Sequence, residues 1–482
     1  MRRRSWGSRM IRRLGVILAV IVLTLLGGRI WLAESGTPLA LWHTTVPPEM
    51  TVAEIDAADW AAWLAAEDAA FANVRREVTD RLEPADRIAS NRYFSGSPLF
   101  PQHFPTDWNR SFVLVPEGTP RGAVVLLHGL TDAPFSLRHV ARLYRDQGFV
   151  AVGVRYPGHG TVPGGLTDAT WEQWAAAGRL AVREARVRAG AEVPLHMVGY
   201  STGAAVALMH AMDALQAPGI GLPERLVLLS PMIGISRAAN WAWFAELPAL
   251  LPRFAKSAWL GTQPEFNPFK YNSFPVNGAR QSSRLAATLQ DRLGRTDLAR
   301  LPPVLAFQSV LDATVSTPAV VRDLFARLPD NGSELVVFDL NRDAQLGEIL
   351  TRAADAALGG LLPPAPRRFR ATLVVNDGPG SAAMIARATP AGATAAEDTS
   401  IGLAYPRDMF SLSHVAMPFP PEDGLYGAEP DPEDRFGVRL GTIAARGERG
   451  ALVVGLDTLM RASSNPFFPW IAERIGAAIP QP

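Results

Sequence analysis

Gly199-Tyr200-Ser201-Thr202-Gly203 lies between an apolar run, Pro194 to Val198, and a helix-forming one, Ala204 to Met209. A serine on a strand-to-helix turn exposes its hydroxyl only with a strained backbone. Side chains two residues before and two after would collide with such a turn, which explains Gly199 and Gly203. The helix N-terminus behind the serine favours negative charge on its oxygen. This pattern suits attack by a serine oxygen on a carbonyl. That chemistry needs a base, a carboxylate to orient the base, and two N–H donors for the tetrahedral oxyanion.

The base follows by elimination. The chain has eight histidines, and only His210 and His414 come after Ser201. At a serine of this kind the chain order is serine, acid, histidine. His210 lies nine residues along the same helix and points away from the turn, leaving His414 in Ser411-Leu412-Ser413-His414-Val415. The acid has three candidates. Asp312 ends the run Pro303 to Leu311, at the C-terminal edge of a strand, where open parallel sheets build their sites. Asp339 and Asp377 close later strand-like runs and are the alternatives. One oxyanion donor is the N–H of Thr202. The other comes from the loop His128-Gly129-Leu130-Thr131-Asp132 after the run 122–128, with Leu130 as the donor; His128 itself shapes that loop.

The elements that must hold these residues alternate. Strand-like runs fall at 111–115, 122–128, 149–155, 194–199, 225–230, 303–310 and 334–340, with helical patterns at 135–147, 171–189, 201–215 and 316–328. Such alternation predicts a mostly parallel sheet with helices on both faces. Two stretches interrupt it. Residues 232–300 are rich in Trp, Phe, Pro and Asn, with Trp241, Trp243, Phe244, Trp259, Phe266, Phe269 and Tyr271 among them. Residues 341–405 hold a helix-like segment, a strand-like run at 370–376 and a tract of small residues. A hairpin is expected at 437–456 and a closing helix at 467–479. Near the start, Thr51-Val52-Ala53-Glu54 has the form of a capping box and opens one amphipathic helix to about Leu82.

With these pieces in order, the chain resembles the α/β-hydrolase family, in its carboxylesterase and monoacylglycerol-lipase-like (serine aminopeptidase-type) branch with a helical cap. The resemblance spans about 115–420 and rests on His128-Gly129, Tyr156-Pro157-Gly158-His159-Gly160, the turn around Ser201, Asp312 with Val315, and His414 with Pro418-Phe419. It implies Ser201 as nucleophile, Asp312 as acid, His414 as base, Leu130 and Thr202 as oxyanion donors, and 232–300 as the cap, some of whose rings line an acyl pocket. Two departures stand out: the long insertion 341–405 ahead of His414, and the first 110 residues, which match nothing in the family's catalytic core.

Composition sets the remaining limits. With 47 Lys+Arg against 46 Asp+Glu the net charge is +1, which gives no reason to expect a nucleic-acid partner. There is no Cys, so thiol nucleophiles, disulfides and Cys-ligated zinc are excluded. No metal or cofactor is implied. Residues 1–13 carry six Arg and no acid, and an apolar run follows from Leu14 to Gly28 and continues past Arg29 to Ala33. A basic flank before a run long enough to span predicts an uncleaved membrane anchor with the Arg cluster in the cytoplasm, with a cleaved export signal as the alternative. The scarcity of Lys beside Arg and the many Ala suggest a bacterial gene. The expected organisation is a basic tail 1–13, an anchor 14–33, a helical extension 34–110, core 111–231, cap 232–300 and core 301–482 with its insertion. The expected function is hydrolysis of small-molecule or lipid carboxylic esters outside the cytoplasm, at a bacterial inner membrane. An acyltransferase with the same triad and a non-catalytic membrane-anchored binding module are the other readings.

Overall fold

The apolar runs become strands of one sheet. The computed structural model describes residues 6–234, 247–250, 252–344, 351–442 and 455–480. In chain order the strands are β1 (Phe112–Leu114), β2 (Gly122–Leu127), β3 (Phe149–Val154), β4 (Leu195–Tyr200), β5 (Arg225–Leu229), β6 (Trp259–Gly261), β7 (Phe274–Pro275), β8 (Val304–Ser309), β9 (Glu334–Phe338), β10 (Arg370–Asn376), β11 (Ala383–Thr389) and β12 (Glu397–Ala404). Ten of them form one sheet in the order β1-β3-β2-β4-β5-β8-β9-β10-β11-β12, while β6 and β7 pair separately. From β3 through β10 the pairing is parallel; β1 is antiparallel to β3, and β11 and β12 continue antiparallel beyond β10.

Both faces of the central strands are covered, so their residues are apolar without alternation. Ala123, Val125 and Leu127 of β2 share one core with the helices Trp171–Ala189 and Thr202–Gln216. Val124 and Leu126 point to the other face, with Val140 and Tyr144 of the helix Arg138–Asp146 and Ile471 and Ile475 of the helix Phe468–Ala477. This is a doubly covered, mostly parallel sheet, as the alternation predicts.

Several elements differ from the sequence reading. The helix expected over 51–82 is two: Val52–Ala57, then Trp60–Glu77. Asp59 turns its carboxylate onto the Ala62 N–H at 2.8 Å and starts the second helix afresh. The insertion 341–405 is no appendage, because β10, β11 and β12 lengthen the main sheet. The helix expected at 316–328 is a succession of short turns, Thr317–Ala319, Val320–Leu324 and Phe325–Arg327. The stretch 232–300 ends in a long helix, Val276–Arg295, whose Leu285, Ala286 and Leu289 join the same core as the helix Thr202–Gln216. Trp241, Trp243 and Phe244 lie outside the described residues, as does most of the 437–456 hairpin.

The N-terminal segment clasps both the sheet and the stretch 232–300. Arg155, at the end of β3, makes a bidentate pair with Glu49 at 2.7 and 2.9 Å and a further contact with Glu67 at 3.1 Å. His43 Nε2 lies 3.0 Å from Ser273 Oγ. At Gly164 an added Cβ would sit 2.2 Å from the Thr45 carbonyl oxygen, so segment and loop touch backbone to backbone. The first helix, Trp6–Glu34, contains a 23-residue stretch, Arg12–Glu34, of mean hydropathy 2.3, long and apolar enough to cross a membrane or to act as a signal sequence. Its C-terminal end rests on residues 256–259: Arg29 donates to the Ser257 and Trp259 carbonyls, and Lys256 Nζ to those of Glu34 and Gly36 at 3.1 and 2.9 Å.

Candidate active site

Ser201 sits where β4 ends and the helix Thr202–Gln216 begins, with φ 54° and ψ −114°. A non-glycine residue at positive φ is strained and must be held by its surroundings. Here the Ser201 N–H donates to the Leu229 carbonyl at 2.9 Å, and its own carbonyl accepts from Ala204 and Met232, both at 3.1 Å. The flanking glycines are sterically required. A Cβ at Gly199 would lie 2.4 Å from Ala204 Cα, and one at Gly203 1.9 Å from the Leu127 carbonyl oxygen.

The loop after β2 approaches the serine directly. A Cβ at Gly129 would meet Ser201 Cβ at 3.4 Å, which places Leu130 and its backbone beside the turn. His128 is buried beneath this loop. Its Nε2 accepts from the Tyr156 N–H at 3.1 Å, so Nδ1 bears the proton and donates to the Gly129 carbonyl at 2.8 Å. Burial pushes its pKa down to about 3, a neutral brace between two loops.

Asp312 and His414, 102 residues apart, meet: His414 Nδ1 is 2.7 Å from Asp312 Oδ2. The Asp312 side chain is fully buried. Burial alone would raise its pKa, but His414 and the N–H groups of Val315 and Thr314 outweigh it, so the net shift is downward and the carboxylate stays ionised. Oδ1 accepts those N–H groups at 3.0 and 2.8 Å. Tyr200, the residue before the serine, donates its hydroxyl to the His414 carbonyl at 3.2 Å and tilts its ring against the imidazole. Thus the histidine loop is tied to the serine turn itself. Nothing in the sequence pointed to this role for Tyr200, because it depends on a contact across 214 positions.

The competing acids are engaged elsewhere. Asp339 pairs with Arg342 at 3.0 Å, and Asp377 is exposed where β10 turns into β11. His210 donates to or accepts from nothing near the turn; its Nε2 lies 3.0 Å from the Gly221 carbonyl oxygen.

Val415, the residue after His414, helps line a cavity of about 230 Å³, together with Phe266, Asn267, Lys270, Leu459 and Arg461 among others. Its walls mix rings with amides and cations. In the stretch 232–300 the rings Trp259, Phe269 and Tyr271 are buried and pack inward, Phe269 stacking on Phe135 with centroids 4.0 Å apart.

The strand order, the crossover helices and the serine at the end of β4 define an α/β-hydrolase fold. Residues 118–340 match the family model of serine aminopeptidases, S33 (Hydrolase_4), so the resemblance read from the sequence is shown over that stretch. The match ends before β10 and His414. No curated protein sequence matches the chain. Among solved structures, a soluble variant of monoglyceride lipase from Saccharomyces cerevisiae is 16% identical, over 47% of this chain and 81% of that one, with TM-score 0.37. The Paleococcus ferrophilus monoacylglycerol lipase is 18% identical over 45% and 84%, with TM-score 0.33. Est1E from Butyrivibrio proteoclasticus with bound ferulic acid is 20% identical over 47% and 84%, with TM-score 0.32.

Proposed function

We propose that the chain is a serine hydrolase that cleaves carboxylic esters through an acyl-enzyme on Ser201. His414 takes the proton from the Ser201 hydroxyl as its oxygen attacks the carbonyl carbon. Asp312 orients the imidazole and stabilises its charged form. The N–H groups of Leu130 and Thr202 receive the oxyanion. Collapse releases the alcohol, protonated by His414, and a water deprotonated by the same imidazole then frees the acid. The observation that carries this reading is the 2.7 Å contact between His414 Nδ1 and Asp312 Oδ2, hung from the residue that precedes the strained serine. A fluorophosphonate probe should label the protein at Ser201 and abolish turnover of short 4-nitrophenyl esters. Ester turnover that survives complete labelling would remove Ser201 from the mechanism.

The helix Trp6–Glu34 is read as an uncleaved anchor in a bacterial inner membrane, with the catalytic part outside the cytoplasm. The six Arg among residues 1–13 support that orientation, because translocating them is costly. Fractionation of the full-length chain from a bacterial host, with the mass of its N-terminus, tests this. A soluble periplasmic species shortened by about 30 residues would show a cleaved signal instead.

A further inference from the structure

The cavity beside His414 is not the plain apolar pocket that a fatty acyl chain would need. Two cations line it, Lys270 and Arg461, with Asn267 between the apolar walls and Asp457 exposed at its rim. Asp457 is the one carboxylate lining it among the described residues.

Both cations are bound to the catalytic machinery yet keep spare donors. Lys270 Nζ reaches the Leu130 carbonyl at 3.5 Å, and Lys270 has no other hydrogen bond from its ammonium among the described residues. Arg461 donates through one nitrogen to Thr314 Oγ1 at 2.6 Å, and the Thr314 N–H in turn holds Asp312. The Arg461 carbonyl accepts from Ser413, the neighbour of His414, at 3.0 Å. Neither cation has a carboxylate within 4 Å among the described residues. Burial pulls the Lys270 ammonium below its ordinary value; Asp132 holds it up, and Arg461 depresses it further. Two like charges therefore face one small space next to the reacting histidine, and an anion between them would relieve their repulsion.

We propose that Lys270 and Arg461 form an anion subsite, so that the preferred substrates are esters whose acid or alcohol half carries a carboxylate or phosphate. This rests on the ester-hydrolase reading and names the substrate class of the same site. Val415, next to His414 in the chain, forms part of the cavity wall, and Lys270 reaches the Leu130 carbonyl, which joins the cavity to both catalytic loops.

The test uses the full-length chain in detergent and two matched pairs. In the first, 4-nitrophenyl hydrogen glutarate is compared with 4-nitrophenyl valerate, which differ only in a terminal carboxylate against a methyl. In the second, 1-butyrylglycerol 3-phosphate is compared with 1-butyrylglycerol. The readout is the anionic-to-neutral ratio of kcat/KM, in which any general loss of activity cancels. At least one pair should favour the anion by on the order of 10-fold, and the pair that does so tells whether the charge belongs to the acid or the alcohol. Lys270→Met and Arg461→Met should each bring that ratio to about one or below. A merely structural role for either cation would lower both members of the pair together and leave the ratio where it was, which overturns the proposal. So does a wild-type preference for the neutral ester in both pairs, with the hydrolase reading left standing. Turnover of none of the four sinks that reading, and the subsite with it.

Discussion

At the scale of single residues, the candidate site is a set of backbone positions before it is a set of side chains. Ser201→Ala and His414→Ala should each reduce ester turnover on the order of 10³-fold or more, and the double variant should be little worse than either, because the groups act as one unit. Steady-state kinetics on folded protein decides it: appreciable activity in either single variant removes that residue. Asp312→Asn should also be crippled, whereas Asp377→Asn, on an exposed turn, should behave as wild type. Gly203→Ala offers a different test. Its Cβ would have to displace the Leu127 carbonyl, so activity and thermal stability should fall together; an active, stable Gly203→Ala protein would mean that the turn is not as tight as described. Much of this was legible in the sequence because glycine spacing and chain order are local or one-dimensional facts. The hold of Tyr200 on His414 and the gathering of Lys270 and Arg461 were not, since each joins segments more than a hundred residues apart.

At the scale of elements, the parallel strands were legible because burial on both faces demands unbroken apolar runs. β11 and β12 were not: in Ala383–Thr389 and Glu397–Ala404 only Met384, Ile385, Ile401 and Leu403 are large and apolar among small and polar residues, and β12 is largely exposed. The split between the helices Val52–Ala57 and Trp60–Glu77 was hidden as well, because Asp59 continues a helical pattern by sequence and ends it by capping. The extension before the core matters more than its lack of family motifs suggested. Arg155→Met would leave Glu49 and Glu67 without their common cation and should cost about 3–5 kcal/mol, read as a fall in the midpoint of chemical denaturation. By the same contacts, a chain starting at Ser35 should fold and keep esterase activity. One starting at Thr51 loses His43, Thr45 and Glu49 and should be unstable. Equal stability of the two shortened chains would show that the clasp contributes nothing.

At the scale of the whole molecule, acid sensitivity follows from the buried imidazoles. Burial pushes His43, His139 and His196 down to about 4 and His128 to about 3, against about 6.5 in an unfolded chain. Between those values the unfolded chain takes up protons that the folded one refuses, so stability is lost as pH falls from about 6.5 toward 4. Asp132 and Glu265, raised by burial, work in the opposite direction and moderate the slope. The melting temperature should fall on the order of 10 °C from pH 7 to pH 5; a flat or rising profile would contradict the neutral, buried state of these rings. The ten-stranded sheet has a consequence of another kind. Its long end is β12, whose outer row of N–H and C=O groups could template a strand from a second molecule, as in fibre growth. That end carries Glu397 and Asp398, both exposed, with Arg387 of β11 committed to Asp398. The other end is β1, three residues long. One border repels its own copy and the other is too short to zip, so molecules crowded side by side can stay separate proteins rather than seed a common sheet.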